Sequence, residues 1–134
     1  MKEFSLQIVT PDKTAFDGKA ESLLIRTISG DIEILAGHAD LLSAIGTGRA
    51  RIRTANGNCL FASVNGGFLS VASGEVRVAA TTFEFADELD LSRAETAKKK
   101  AEQQIKDAKN NAELSVAKAK LQRALSRIHV KGLK

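Results

Sequence analysis

A β-sandwich, or flattened antiparallel barrel, followed by a C-terminal αα-hairpin is the fold this sequence predicts, and three observations predict it. Up to Phe85 the apolar residues tend to recur at every second position, the period of a strand with one buried face. Turn-forming pairs punctuate that stretch closely. After Phe85, glycine vanishes until Gly132, and Ala, Lys, Glu and Gln take over, which are strong helix formers.

Phe4, Leu6 and Ile8 alternate with polar neighbours and predict a strand over 3–9. Strands follow near 20–28 and over 31–35, the latter carried by Ile32 and Ile34. Ala50 and Ile52, set against Arg49, Arg51 and Arg53, predict a strand over 48–54 with its arginines toward solvent. Asn56-Gly57, Asn65-Gly66 and Ser73-Gly74 each separate two short apolar segments. Asn-Gly tolerates the positive φ of tight hairpin turns, so strands over 59–64, 67–72 and 75–81 complete a meander. So many short strands in 85 residues do not lie comfortably in one flat sheet, and a sandwich or flattened barrel follows.

Ser92-Arg93-Ala94-Glu95 reads as a capping box, with Asp90 as the competing N-cap. The helix it opens presents Ala94, Ala97, Ala101, Ile105 and Ala108 along one stripe, and Asn110-Asn111 breaks it. A second helix over 113–129 repeats the spacing with Leu114, Ala117, Leu121, Ala124 or Leu125, and Ile128. Two stripes joined by so short a break predict an antiparallel hairpin. Its facing residues are largely alanine, and a buried methyl contributes only about 0.8 kcal/mol. The chain thus divides into a docking sandwich over 1–85 and a weakly held helical hairpin over 86–134, a candidate for a change of arrangement.

A length of 134 residues allows one domain and an appendage, which excludes a large multidomain enzyme. With 43% apolar and 27% charged residues the composition is that of a folded chain. No apolar run approaches the length of a membrane span and the N-terminus lacks the apolar core of a secretory signal, so a cytosolic protein is expected. The lone Cys59 excludes an internal disulfide and reads as a small strand filler. Residues 1–85 carry eight basic against nine acidic side chains, and the remainder twelve against seven, so the excess positive charge is C-terminal. A basic hairpin suits an acidic partner, a phosphate ligand or a nucleic acid. The absence of Trp and Tyr, with all six Phe at or before Phe85, argues against base stacking. His38 and His129 have no nucleophile motif beside them, and no P-loop or dinucleotide fingerprint occurs.

Three segments carry a resemblance. Gly30-Asp31-Ile32-Glu33-Ile34-Leu35-Ala36-Gly37-His38-Ala39-Asp40-Leu41-Leu42, Gly66-Gly67-Phe68-Leu69-Ser70-Val71 and Arg123-Ala124-Leu125-Ser126-Arg127-Ile128 together resemble the epsilon subunit of bacterial F-type ATP synthases. The likeness covers essentially the whole chain in order; Ala36 stands where many relatives carry proline. It implies a non-catalytic rotor subunit of a proton- or sodium-translocating synthase, bound to the gamma subunit and the c ring. It also implies a mobile hairpin that meets the beta subunits and restrains ATP hydrolysis. Such a protein would lie peripherally on the cytoplasmic face of the bacterial plasma membrane and need no cofactor.

Leu89-Asp90-Leu91-Ser92-Arg93-Ala94 is similar to the Ile/Leu-Asp-x-x-Arg-Ala motif with which some family members bind ATP as a regulatory ligand. The resemblance assigns that site to Glu84, Asp90, Arg93, Ala94, Arg123 and Arg127, with Lys100 where the family usually has arginine. A carboxylate accepts from adenine or ribose donors and guanidinium forks fit phosphate oxygens, so the chemistry is apt. The plain alternative is an N-cap aspartate with solvated arginines. By the same resemblance, His38 lies on the surface that meets gamma and Asp31 in a loop that approaches the c ring. Lys98-Lys99-Lys100 is a solvated face or a contact for an acidic segment of beta. The competing reading from another class is a small basic nucleic-acid-binding protein, which would hold polynucleotides at physiological salt.

Overall fold

Seven strands and two helices account for most of residues 2–133, which the computed structural model describes. The strands are β1 Phe4–Val9, β2 Thr14–Ala20, β3 Ser22–Thr27, β4 Gly30–Leu35, β5 Leu41–Arg53, β6 Cys59–Ala72 and β7 Glu75–Phe85. They form one sheet in the order β2-β1-β7-β6-β5-β3-β4. Every pairing is antiparallel except that of β1 with β7, which is parallel. The sheet is not closed into a barrel, so the sandwich reading holds and the flattened barrel does not.

A change of parity marks where this sheet folds over. β5 buries Ile45 on one side of Gly46–Gly48 and Ala50 and Ile52 on the other. β6 buries Ala62 and Val64 before Asn65–Gly67, then Leu69 and Val71 after it. β7 buries Val76, Val78 and Ala80, then Phe83. The pairing keeps one register across this level, from Thr47↔Asn65 to Ala44↔Phe68 and from Val64↔Phe83 to Phe68↔Ala79. Three neighbouring strands therefore switch face together, as at a sandwich corner. Their concave side closes on one core that includes Leu6, Ile8, Leu23, Ile25, Ile34 and Leu69.

That corner overturns one expectation. Asn65-Gly66 is not a hairpin turn: β6 runs through it, and the strands expected over 59–64 and 67–72 are one. The positive φ of Gly66 (69°) and Gly67 (105°) bends the strand instead of reversing it. A Cβ on Gly67 would collide with the Ala79 carbonyl oxygen and approach Ala80 Cα to 2.8 Å. The Ser73-Gly74 turn is present, with Ala72 paired to Glu75 across it. The strand expected near 20–28 is interrupted at Glu21, and the strand expected from 48 begins at Leu41. β2, an edge strand with little alternation, carried no signal.

Beyond β7, a short 3-10 turn, Ala86–Glu88, leads into helices α1 Leu91–Asp107 and α2 Asn111–Leu133. Asp90, not Ser92, is the N-cap: its Oδ1 accepts the Arg93 backbone N–H at 3.2 Å. Ser92 lies inside α1, where its carbonyl accepts from Thr96 Oγ1 at 3.0 Å. Asn110 Oδ1 accepts the Glu113 N–H at 2.8 Å, so the break falls just before Asn111, which opens α2. Ala94, Ala101, Ala117 and Ala124 are buried, whereas Ala97, expected on the same stripe, is exposed.

Candidate functional site

The hairpin meets the sheet along α2, which packs on β5 and β6. Ser126 Oγ donates to the Gly48 carbonyl at 3.0 Å and so must accept from Ser63 Oγ, 2.8 Å away. Arg127 Nε donates to Glu84 Oε1 at 2.7 Å, and Lys131 Nζ donates to the Ala86 carbonyl at 3.0 Å. Val130 is fully buried against Ala86, Leu89 and Phe61. The seam is thus mostly polar, with one small apolar anchor at its end.

A cleft of about 250 Å³ opens between this seam and the start of α1. Glu84, Asp90, Arg93, Ala94 and Arg127 all line it, so five of the six residues assigned to ATP converge although they come from β7, α1 and α2. Arg123 lies one turn before Arg127 on α2, half-buried and outside the lining, and Lys100 is exposed on α1 outside it too. Asp90 spends one oxygen on the helix cap and Glu84 one on Arg127, and each carboxylate keeps a second acceptor oxygen. The cleft is thus lined by two carboxylates and two arginines, of which Glu84 and Arg127 are already bonded to each other.

The two expected interface residues part company. Asp31 sits on strand β4, not in a loop, which corrects the expected placement. Arg26 Nε donates to its Oδ1 at 2.6 Å and Arg49 lies 3.8 Å from Oδ2. The Arg26 hydrogen bond holds the Asp31 carboxyl below its usual range against partial desolvation. His38 is in the loop after β4, exposed, with Nδ1 2.7 Å from the Ala39 carbonyl oxygen.

Sequence reasoning missed a second surface. Across β5, β6 and β7, Ala44, Phe68 and Ala79 are paired in a row on the convex face, and the Ile28 N–H donates to the Ala44 carbonyl at the row's end. Phe68 is 59% exposed, Ile28 72% and Leu42 73%, too much large apolar surface to be incidental. The signal was present as Leu41-Leu42 and Phe68-Leu69, since consecutive apolar residues on a strand must point to opposite faces. It also missed the ion pair of Lys13 Nζ with Glu88 Oε2 at 2.9 Å, which ties the loop before β2 to the 3-10 turn.

Together these features define a two-part protein: a sandwich with an exposed apolar row, carrying a helical hairpin on a polar seam. The chain belongs to the ATP synthase delta/epsilon chain family. Residues 3–86 match "ATP synthase, Delta/Epsilon chain, beta-sandwich domain" and residues 87–132 match "ATP synthase, Delta/Epsilon chain, long alpha-helix domain". It is 37% identical over 131 residues to the ATP synthase epsilon chain of Ruminococcus albus, covering 97% of each chain. It is 36% identical over 132 residues to that of Bacillus velezensis, covering 98% of this chain and 99% of the relative. Its fold is similar to a chain of the Euglena gracilis mitochondrial ATP synthase, with a TM-score of 0.83 and 19% identity over 92% of this chain and 78% of that one.

Proposed function

We propose that the chain is a central-stalk epsilon subunit that couples a gamma-type subunit to the c ring, with no catalytic residue of its own, and is held peripherally at the membrane. The exposed row of Ile28, Leu42 and Phe68 supports docking to gamma, because a buried partner face would remove its large apolar side chains from water. His38 is expected beside that face and Asp31 at the c-ring contact. The hairpin is the regulatory part. Undocked from the sheet, its basic helices reach acidic surface on the beta subunits and hinder rotation in the direction of hydrolysis.

The observation that carries this reading is the seam itself: a hairpin held by a few polar contacts and one buried valine is built to come away from a sheet with its own large core. ATP in the cleft of Glu84, Asp90, Arg93 and Arg127 favours the docked form, since a ligand binding one conformer shifts the population toward it. The cleft is smaller than typical ligand pockets of about 300–1,000 Å³, so part of the nucleotide lies outside it, within reach of Arg123. Complexes reconstituted with a chain ending at residue 87 are expected to hydrolyse ATP faster while still assembling and synthesising ATP. Hydrolysis unchanged across low and high ATP refutes the brake. Phe68→Glu is expected to abolish gamma binding without unfolding the sheet; retained binding refutes the docking face.

A further inference from the structure

We propose that the cavity behind the hinge is a binding site for a small apolar-bodied cation, and that this ligand fastens the hairpin to the sheet. The second part rests on the reading above that the hairpin moves. The cavity is about 500 Å³ and shares Glu88 with the proposed nucleotide cleft. Its size is that of ordinary small-molecule pockets. Leu60, Phe61 and Phe85 give it apolar walls, and Leu60 is a large side chain left 39% exposed there.

Charge selects the ligand's sign. Three charged groups stand at the cavity: Lys13, Asp87 and Glu88. Lys13 is consumed by Glu88 at 2.9 Å, while Asp87 has no ion pair among the described residues. Asp12 and Glu84 add further negative potential at Lys13, whose ammonium is held above its usual range chiefly by the Glu88 hydrogen bond. An anion would have to displace Glu88 to reach the lone cation, whereas an amine finds an unpaired carboxylate at once. An apolar body with an ammonium head therefore satisfies both the walls and the rim.

Conformation enters because the walls come from two parts of the chain. Lys13, Leu60 and Phe61 belong to the sandwich, and Ala86–Glu88 to the turn that leads into α1. Undocking the hairpin removes Val130 and Lys131 from Ala86 and leaves the turn tied to the sandwich through Lys13 and Glu88, so its wall of the cavity is most firmly placed when the hairpin is docked. A ligand that needs both walls binds the docked form better and raises its population.

Cys59 lines the same cavity and is exposed, so its alkylation reports occupancy. The probe is 2-(1-naphthyl)ethylamine on the full chain, with 1-naphthylacetate as the charge-reversed control. The amine is expected to slow iodoacetamide alkylation of Cys59 saturably, and the acetate to do so far less. Asp87→Asn weakens the amine by about two- to fivefold, the range of an exposed ion pair. At ten times its Kd, the amine slows amide exchange in α2 about tenfold. No protection of Cys59, equal protection by the acetate, or protection with α2 exchange unmoved each overturns the proposal. Failure of the hairpin reading is separate: truncation at 87 leaves hydrolysis unchanged whatever the amine does.

Discussion

Val130→Ala isolates the anchor that holds the hairpin to the sheet. Val130 is 0% exposed and packs only at the small cluster of Ala86, Leu89 and Phe61, apart from the sandwich core. The substitution deletes two methyl groups, at about 0.8 kcal/mol each, or about 1.6 kcal/mol before any cavity term. Alanine's higher helix propensity returns a few tenths. The docked state therefore loses about tenfold in population relative to the undocked one, a factor of ten being 1.4 kcal/mol. Hydrogen exchange read segment by segment is the assay. Amides of α2 and of Ala86–Glu88 should exchange about an order of magnitude faster, while β5 and β6 amides facing the core keep their rates. If strand and helix amides accelerate together, hairpin and sheet open as one unit and independent undocking is refuted. If neither moves, Val130 is no anchor.

Three further outcomes follow from single contacts. Gly67→Ala is expected to prevent folding or destabilise the sheet by about 3 kcal/mol or more, because φ is 105° and the new Cβ meets the Ala79 carbonyl; a near-normal melting temperature would refute the corner. Arg127→Ala removes a partly exposed pair with Glu84, so stability should fall by under about 1 kcal/mol while ATP affinity, measured by calorimetry, falls at least tenfold; Arg127→Lys should not restore it, lacking the fork. Glu88, held below its ordinary 4.5 first by Lys13 and then by the Phe85 N–H, adds stability that is fully present above pH 4.5 and lost as pH falls through its lower folded value. Glu88→Gln should therefore flatten the acid limb of hairpin docking, and an unchanged limb would show that the Lys13 bridge does not restrain the hinge.

Much of the architecture was legible because period and composition are local. Phe4-Leu6-Ile8, the Ser73-Gly74 turn and the alanine stripe of α1 each reported an element that is present. The failures share a cause. Asn65-Gly66 carries the same φ preference whether it reverses a strand or bends it, and only pairing of β6 with both β5 and β7 decides which. Asp90 and Ser92 compete for one helix start, and the contest turns on where β7 releases the chain. For the site, Glu84 and Arg127 lie 43 positions apart, so their 2.7 Å bond has no local trace; the family resemblance assigned both residues to one site without giving the bond. Lys13 and Glu88, 75 positions apart and outside any motif, had neither.

The seam's energetics fit the proposed division of the chain into a rigid coupling and a switch. Each polar contact across it, Ser126 to Gly48 or Arg127 to Glu84, is worth about 1 kcal/mol or less when partly exposed, and full burial of Val130 adds about 1.5–3 kcal/mol. A ligand confined to the docked state contributes about 2.7 kcal/mol at a hundred times its Kd, which exceeds any one of the polar contacts and is comparable to the burial of Val130. The sandwich answers to a different scale, since its core holds five fully buried large residues from β1, β3 and β4 besides those at the corner. On the proposed reading, effectors at either cavity would reset the hairpin without loosening the strands that carry Phe68 and Asp31. Glu88 lines both the cleft of Asp90 and Arg127 and the cavity of Leu60 and Phe61, so occupants of the two would be coupled through one carboxylate. Occupying both should fasten the hairpin more than either alone, provided Glu88 keeps its bond to Lys13.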